Sequence, residues 1–194
     1  MLGFKRDFRL LLDISRSHAI ARRYFVVNGF DGALTMLGII MGFYFSEDVG
    51  LTVVISACLG AAVALGVSGM SSAYISEAAE RKQELRNLES AMVTDLEDSA
   101  HGRAARLVPA VIALVNGSAP LLISLLIIAP LAVASVAPAY PFEPLQSAIA
   151  VALAIIFLLG VFLGRISETH WLLAGLRTLV IAVATGGIIY LLTP

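Results

Sequence analysis

Two groups of side chains in this sequence have types and spacings suited to chemistry on a small cation. The first centres on Asp31, which lies inside an otherwise uncharged run, Tyr24 to Phe45 (YFVVNGFDGALTMLGIIMGFYF), beside Asn28, Gly29 and Gly32. An acid at bilayer depth costs on the order of 3 kcal/mol on insertion scales, so by default it faces protein or water and marks an ion or proton route. Thr35, Gly38 and Gly42 share its helical face and give it polarity and room. The structural alternative is an acid capped by Asn28 or paired with an arginine. The second group is Glu77, Glu80 and Glu84, which fall within about 60° of one another on a helix of 3.6 residues per turn. Glu89, Asp95, Glu97 and Asp98 follow, with His101 one turn beyond Glu97. Carboxylates with one imidazole suit a hard or borderline divalent cation such as Fe²⁺ or Mn²⁺. The alternative here is a solvated helix whose acids are answered by Arg81, Lys82 and Arg86, with Glu77 and Arg81 a favourable i, i+4 pair. Met36, Met41 and Met70 offer soft sulfur to a passing cation or simply pack.

These residues must be positioned by elements made for lipid. The chain has 194 residues, 59% hydrophobic and 14% charged, where a soluble domain carries about 25% charged residues. Its mean hydropathy is +0.91. A net charge of −1 gives no electrostatic footprint for nucleic acid. The single cysteine, Cys58, allows no internal disulfide and sits in an apolar run suited to packing. The expected fold is an all-α integral membrane protein, a single transmembrane domain over residues 1–194. About 20 apolar residues at 1.5 Å each cross a hydrocarbon core of roughly 30 Å. Five spans follow, at about 24–46, 50–76, 107–131, 145–164 and 171–192. The charge-free stretch from Leu107 to Phe142 is too long for one span, and Pro130, Pro138 and Pro141 trim it to one that ends near 131.

Residues 4–23 hold eight charges and no clean apolar core, which excludes a signal peptide and predicts an amphipathic helix on the membrane surface or against a neighbour. All 13 Lys and Arg lie there, in 81–106, or at 165 and 177. The positive-inside rule then puts the N-terminus in the cytoplasm and the C-terminus outside. A prokaryotic chain of this kind belongs in the cell membrane.

Between Gly69 and Gly102 there is no Gly or Pro, so span 2 is expected to continue as a helix beyond the membrane, making 77–103 an acidic cytoplasmic excursion. Thr94 with Glu97 has the capping-box pattern and predicts that one helix ends near Met92 and a shorter one starts there. Gly102 and Pro109 are expected to break the chain before span 3. Within span 3, Asn116-Gly117 with Pro120 predicts a broken helix whose freed carbonyls line a pathway. Small-residue spacings at Gly38 and Gly42, Ala62 and Gly66, and Gly160 and Gly164 suit close helix contact, within one protomer or across a dimer seam. Five rather short helices close a polar pathway poorly alone, which favours a homodimer. Val-Asn-Gly at 27–29 and 115–117, and Ile-Ser-Glu at 75–77 and 166–168, form a faint parallel repeat. No Gly-x-Ser-x-Gly, His-Glu-x-x-His or phosphate-binding glycine loop is present, so the sequence gives no support for an enzyme.

The segment NGFDGALTMLGIIMG resembles the first span of the vacuolar iron transporter family, with its Asn-x-x-Asp-Gly and nearby Thr. GVSGMSSAYISEAAERKQELRNLE resembles that family's end of span 2, and the five-span layout and the closing RTLVIAVATGGIIYLL match as well. The resemblance implies a dimeric exchanger that moves Fe²⁺ or Mn²⁺ out of the cytoplasm against protons. It implies that Asp31 and Met70 line the pathway and that Glu77, Glu80 and Glu84 collect metal. One departure stands out: the family's Met-x-x-Gly-Glu-aromatic is here Met70-Ser71-Ser72-Ala73-Tyr74, one residue shorter and without the Glu.

The expected function is therefore export of divalent metal by proton antiport. The pathway would comprise Asp31, Asn28, Thr35, Met70 and Asn116, and the metal ligands Asp31, Met70, Glu77, Glu80, Glu84, Glu97 and His101. The metal is substrate, no cofactor is permanently bound, and the partners are lipid, metal ions, protons and a second copy. A membrane-anchored metal-binding or sensing scaffold is the alternative, and a ferrous oxidase at the Glu/His cluster is a third reading.

Overall fold

The computed structural model describes residues 17–46, 49–137 and 140–193. These form five helices: α1 (Ser17–Phe45), α2 (Leu51–Met92), α3 (Ala100–Val136), α4 (Pro144–Ile166) and α5 (Trp171–Leu192). All five are long and apolar enough to cross a membrane, the all-helical make-up of an integral membrane protein. Lipid offers backbone groups no hydrogen-bond partner, so apolar segments of this length resolve as uninterrupted helices.

Span 1 begins without a break from the preceding basic stretch, since α1 already runs through Arg22 and Arg23. The rest of the predicted amphipathic helix, residues 4–16, lies outside the described residues. The α2 helix continues past the apolar run through SEAAERKQELRNLESAM, as the absence of Gly and Pro predicts. Its 16 residues from Glu77 to Met92 add about 24 Å at 1.5 Å per residue.

The chain from Met92 to the third span departs from expectation. No short helix starts at Thr94. Val93 turns the chain with a left-handed φ of 52°, and Glu89 Oε1 accepts the Leu96 N–H at 3.1 Å. Asp95 Oδ1 accepts the Glu97 N–H at 2.8 Å, a local turn that competes with a capping box. The cap of α3 is Ser99, whose Oγ accepts the N–H groups of His101 and Gly102. Gly102 does not break the chain. It sits in the first turn of α3 where a Cβ would collide with the Glu97 carbonyl.

Nor do the prolines end or break α3, which runs unbroken through Pro109, Pro120 and Pro130 to Val136. In water a mid-helix proline costs about 3 kcal/mol and kinks or breaks the helix. In lipid, unwinding would strand more backbone groups than the proline itself does, so the helix persists.

The chain divides into two compact units, Met1–Phe25 with Gly66–Ser118, and Val26–Leu65 with Ala119–Pro194. In the first unit, Ala104, Val108 and Ile112 of α3 are buried, with Ile20 and Tyr24 of α1 packed on them. In the second, Ala33, Met36, Leu37 and Ile40 of α1 form one core with Cys58, Ile127, Leu131, Ala152, Ile156 and Ala182. Met36 is thus packing, and Met41 packs against Gly186. Gly160 and Gly164 receive Thr178 and Ala174 of α5, so that small-residue pair is used within the chain.

Candidate functional site

Asp31 is set by the packing of its neighbours. Gly29, Gly32, Ala33, Met36 and Ile40 make the buried face of α1. A Cβ on Gly32 would lie 2.8 Å from the Pro120 Cα, so only glycine lets α1 and α3 approach this closely in the second unit. With that face turned inward, helical geometry turns the next one outward. Val27 is 51% exposed and Asp31 is exposed. Asn28 and Thr35 are half-buried. Among the described residues neither an ion pair nor a hydrogen bond reaches the Asp31 carboxylate. The alternative of an arginine-paired structural acid thus finds no partner there.

Asn116 and Met70 belong to the first unit. Asn116 is 4% exposed and donates its Nδ2–H to the Gly69 carbonyl at 2.6 Å. A Cβ on Gly117 would lie 2.5 Å from the Gly66 carbonyl oxygen and 2.8 Å from the Met70 Cβ. Asn116 therefore joins two unbroken helices at a close crossing and does not mark a broken one, which corrects the expected unwound segment. Pro120 lies one turn on from Asn116 in the same unbroken helix, and the Asn116 carbonyl oxygen faces α2. That oxygen lies against Gly69, where a Cβ would stand 3.3 Å away. Met70 is 42% exposed, with its backbone at this crossing.

The acids of the excursion do not act as one group. Glu77 is 3% exposed, and its Oε2 lies 3.5 Å from Arg81 Nε. Burial raises the Glu77 carboxyl above its ordinary value, Arg81 pulls it down in part, and Glu80 and Glu84 push it up further. Arg81 also donates to Glu84 Oε2 at 2.9 Å. Glu80, Glu84, Glu97 and His101 are exposed. Glu84 and His101 line one cleft of about 350 Å³ with Arg81, Asn87 and Leu88. Glu97 lines another with Lys82 and Arg106. Among the described residues no three His, Cys, Asp or Glu side chains stand close enough to hold one metal ion. The expected seven-residue ligand set is thus not assembled among these residues. Glu77 and Glu84 of α2 are held by Arg81 instead, an arrangement already open in the i, i+4 spacing of Glu77 and Arg81. What the sequence reading missed is the burial of Glu77, because nothing in its flanking residues sets it apart from Glu80 and Glu84.

No protein-family model and no solved structure matches this chain. An uncharacterized protein of Methanocaldococcus jannaschii is 28% identical over 187 residues, covering 95% of this chain and 94% of that protein. The similarity thus runs nearly end to end in both.

Proposed function

We propose that this chain exports divalent metal, Fe²⁺ or Mn²⁺, from the cytoplasm in exchange for protons, working as a homodimer with its N-terminus inside. The observation that carries the reading is Asp31, an exposed carboxylate about 17 Å along the 26-residue apolar segment Ile20–Phe45. An acid at that depth is tolerated only beside water or protein. A second copy of the chain would supply both, enclosing a wet route between two such faces. A carboxylate in such a route can hold a metal ion while ionised and a proton while neutral, which is the alternation an antiporter needs. Asn28 and Thr35 on the same helix add neutral oxygens.

The test is metal flux in sealed proteoliposomes, with a metal reporter on one side and a pH dye on the other. Wild type is expected to move protons only when metal is supplied. Asp31→Asn is expected to lose both fluxes while keeping its elution volume and helicity. Normal iron flux by the Asn variant would reject Asp31 as the coupling group.

A metal-binding scaffold is the second reading, favoured by the cleft that Glu84 and His101 share. It would bind metal in a calorimetric titration and leave the pH dye unchanged.

A further inference from the structure

We propose that the first unit carries a site for the headgroup of an anionic phospholipid, in the groove where Lys82 of α2 and Arg106 of α3 line one cleft with Tyr74 and Pro109. The cleft holds about 360 Å³. One wall is Tyr74, Ala78 and Lys82, each a turn of α2 apart, and the other includes Gly102, Arg106 and Pro109 of α3. The small side chains Ala78 and Gly102 leave the room, while the larger ones grade from aromatic to basic along the groove.

That gradient coincides with the membrane border. The charge-free run of α2 ends at Ser76, and that of α3 begins at Leu107. Tyr74 and Pro109 therefore lie on the apolar side, and Lys82 and Arg106 on the polar side. A headgroup layer is roughly 5 to 8 Å deep on each leaflet, from the difference between core and full bilayer thickness. Lys82 stands about 9 Å beyond Ser76, so its stem need reach back only a few Å to keep the ammonium in that layer. Tyr74 is 50% exposed, and a tyrosine ring favours the same layer.

The charge balance selects the ligand. Arg106 gives one NH2 to the Glu97 carbonyl at 3.1 Å and retains most of its five donors. Glu97 also lines the cleft, so Lys82 and Arg106 leave one net positive charge. That matches a singly charged phosphodiester such as phosphatidylglycerol, and basic pockets between membrane helices recognise anionic headgroups by this chemistry. The inference does not rest on metal transport.

The experiment is native mass spectrometry of the full chain released from detergent, titrated separately with phosphatidylglycerol, phosphatidylcholine and inorganic phosphate. One phosphatidylglycerol per chain is expected to survive at lipid levels where phosphatidylcholine is lost. Lys82→Gln with Arg106→Gln is expected to weaken retention about tenfold or more, the charge-keeping exchange Lys82→Arg with Arg106→Lys less than about threefold, and Arg177→Gln on α5 not at all. Lys82 is exposed, so Lys82→Gln alone keeps the test open if the double variant misfolds, with a loss of about threefold expected. Equal retention of both lipids, unchanged binding in the Gln variants, or displacement of the lipid by equimolar inorganic phosphate would each overturn the proposal.

Discussion

Glu77 holds its carboxylate at 3% exposure, one residue past the charge-free run of α2, with Arg81 beside it at 3.5 Å. Because burial raises its pKa in the folded chain, the native state keeps a proton at pH values where the unfolded chain has lost it. The contribution of this group to stability is therefore largest at low pH and declines as pH rises from about 4.5, its ordinary value, through the raised folded value. Glu77→Gln removes that titration and keeps the shape. The melting temperature of detergent-solubilised wild type is expected to fall more steeply above pH 4.5 than that of Glu77→Gln, and parallel profiles would refute the assignment. Residue by residue, the sequence was readable where a side chain contradicts its surroundings. Asp31 among apolar neighbours is such a case. Glu77 is the opposite case, the first of several acids where the apolar run of α2 ends, and nothing local distinguishes the carboxylate that tertiary packing covers.

At the scale of elements, the crossing of α2 and α3 in the first unit rests on backbone proximity. Gly69 and Gly117 provide the space and Asn116 the interhelical hydrogen bond. Such bonds average about 0.6 kcal/mol in membrane helices and reach about 2. Asn116→Leu is expected to cost in that range, because the Gly69 carbonyl keeps its own helical bond. Gly117→Val is expected to cost more, about 1 to 3 kcal/mol, since its side chain would meet the Gly66 carbonyl and the Met70 backbone. Equilibrium unfolding in mixed micelles measures both, and a Gly117→Val variant as stable as wild type would show that the helices part freely here. The spans themselves were legible, because five apolar lengths separated by charge admit few other partitions. The interruptions were not. Pro109, Pro120 and Pro130 read as breaks under rules set by water, and α3 is continuous because lipid offers unwound backbone nothing to bond. The Thr94 capping box failed for a different reason, since Asp95 takes the Glu97 N–H and the Glu89 carbonyl takes the Thr94 N–H.

For the molecule as a whole, sidedness decides which end of the proposed route meets cytoplasmic metal. The described basic residues after α1 fall at 81–106, 165 and 177, at the end of α2 and start of α3 and around the junction of α4 and α5. The connection before α4 contains Glu143 and no Lys or Arg. Lys and Arg near span ends are retained in the cytoplasm, so Val93 should lie inside and Phe142 outside. Both are well placed for labelling, at 90% and 69% exposure, and the native Cys58 is fully buried. In a Cys58→Ala background, Phe142→Cys is expected to react with a membrane-impermeant maleimide on intact cells, and Val93→Cys only after lysis. The reverse pattern would put the acidic excursion of α2 outside. The direction of the exchange would be unchanged, because the proton gradient sets it, but the acids of α2 would then meet metal as it leaves the route and not as it enters. Equal labelling of both positions in intact cells would mean the chain inserts in two orientations, and a homodimer could then pair opposite or equal copies. That outcome is separable from the first by crosslinking Val27→Cys, 51% exposed and one turn from Asp31, which joins like-oriented copies at one depth only if their α1 faces meet.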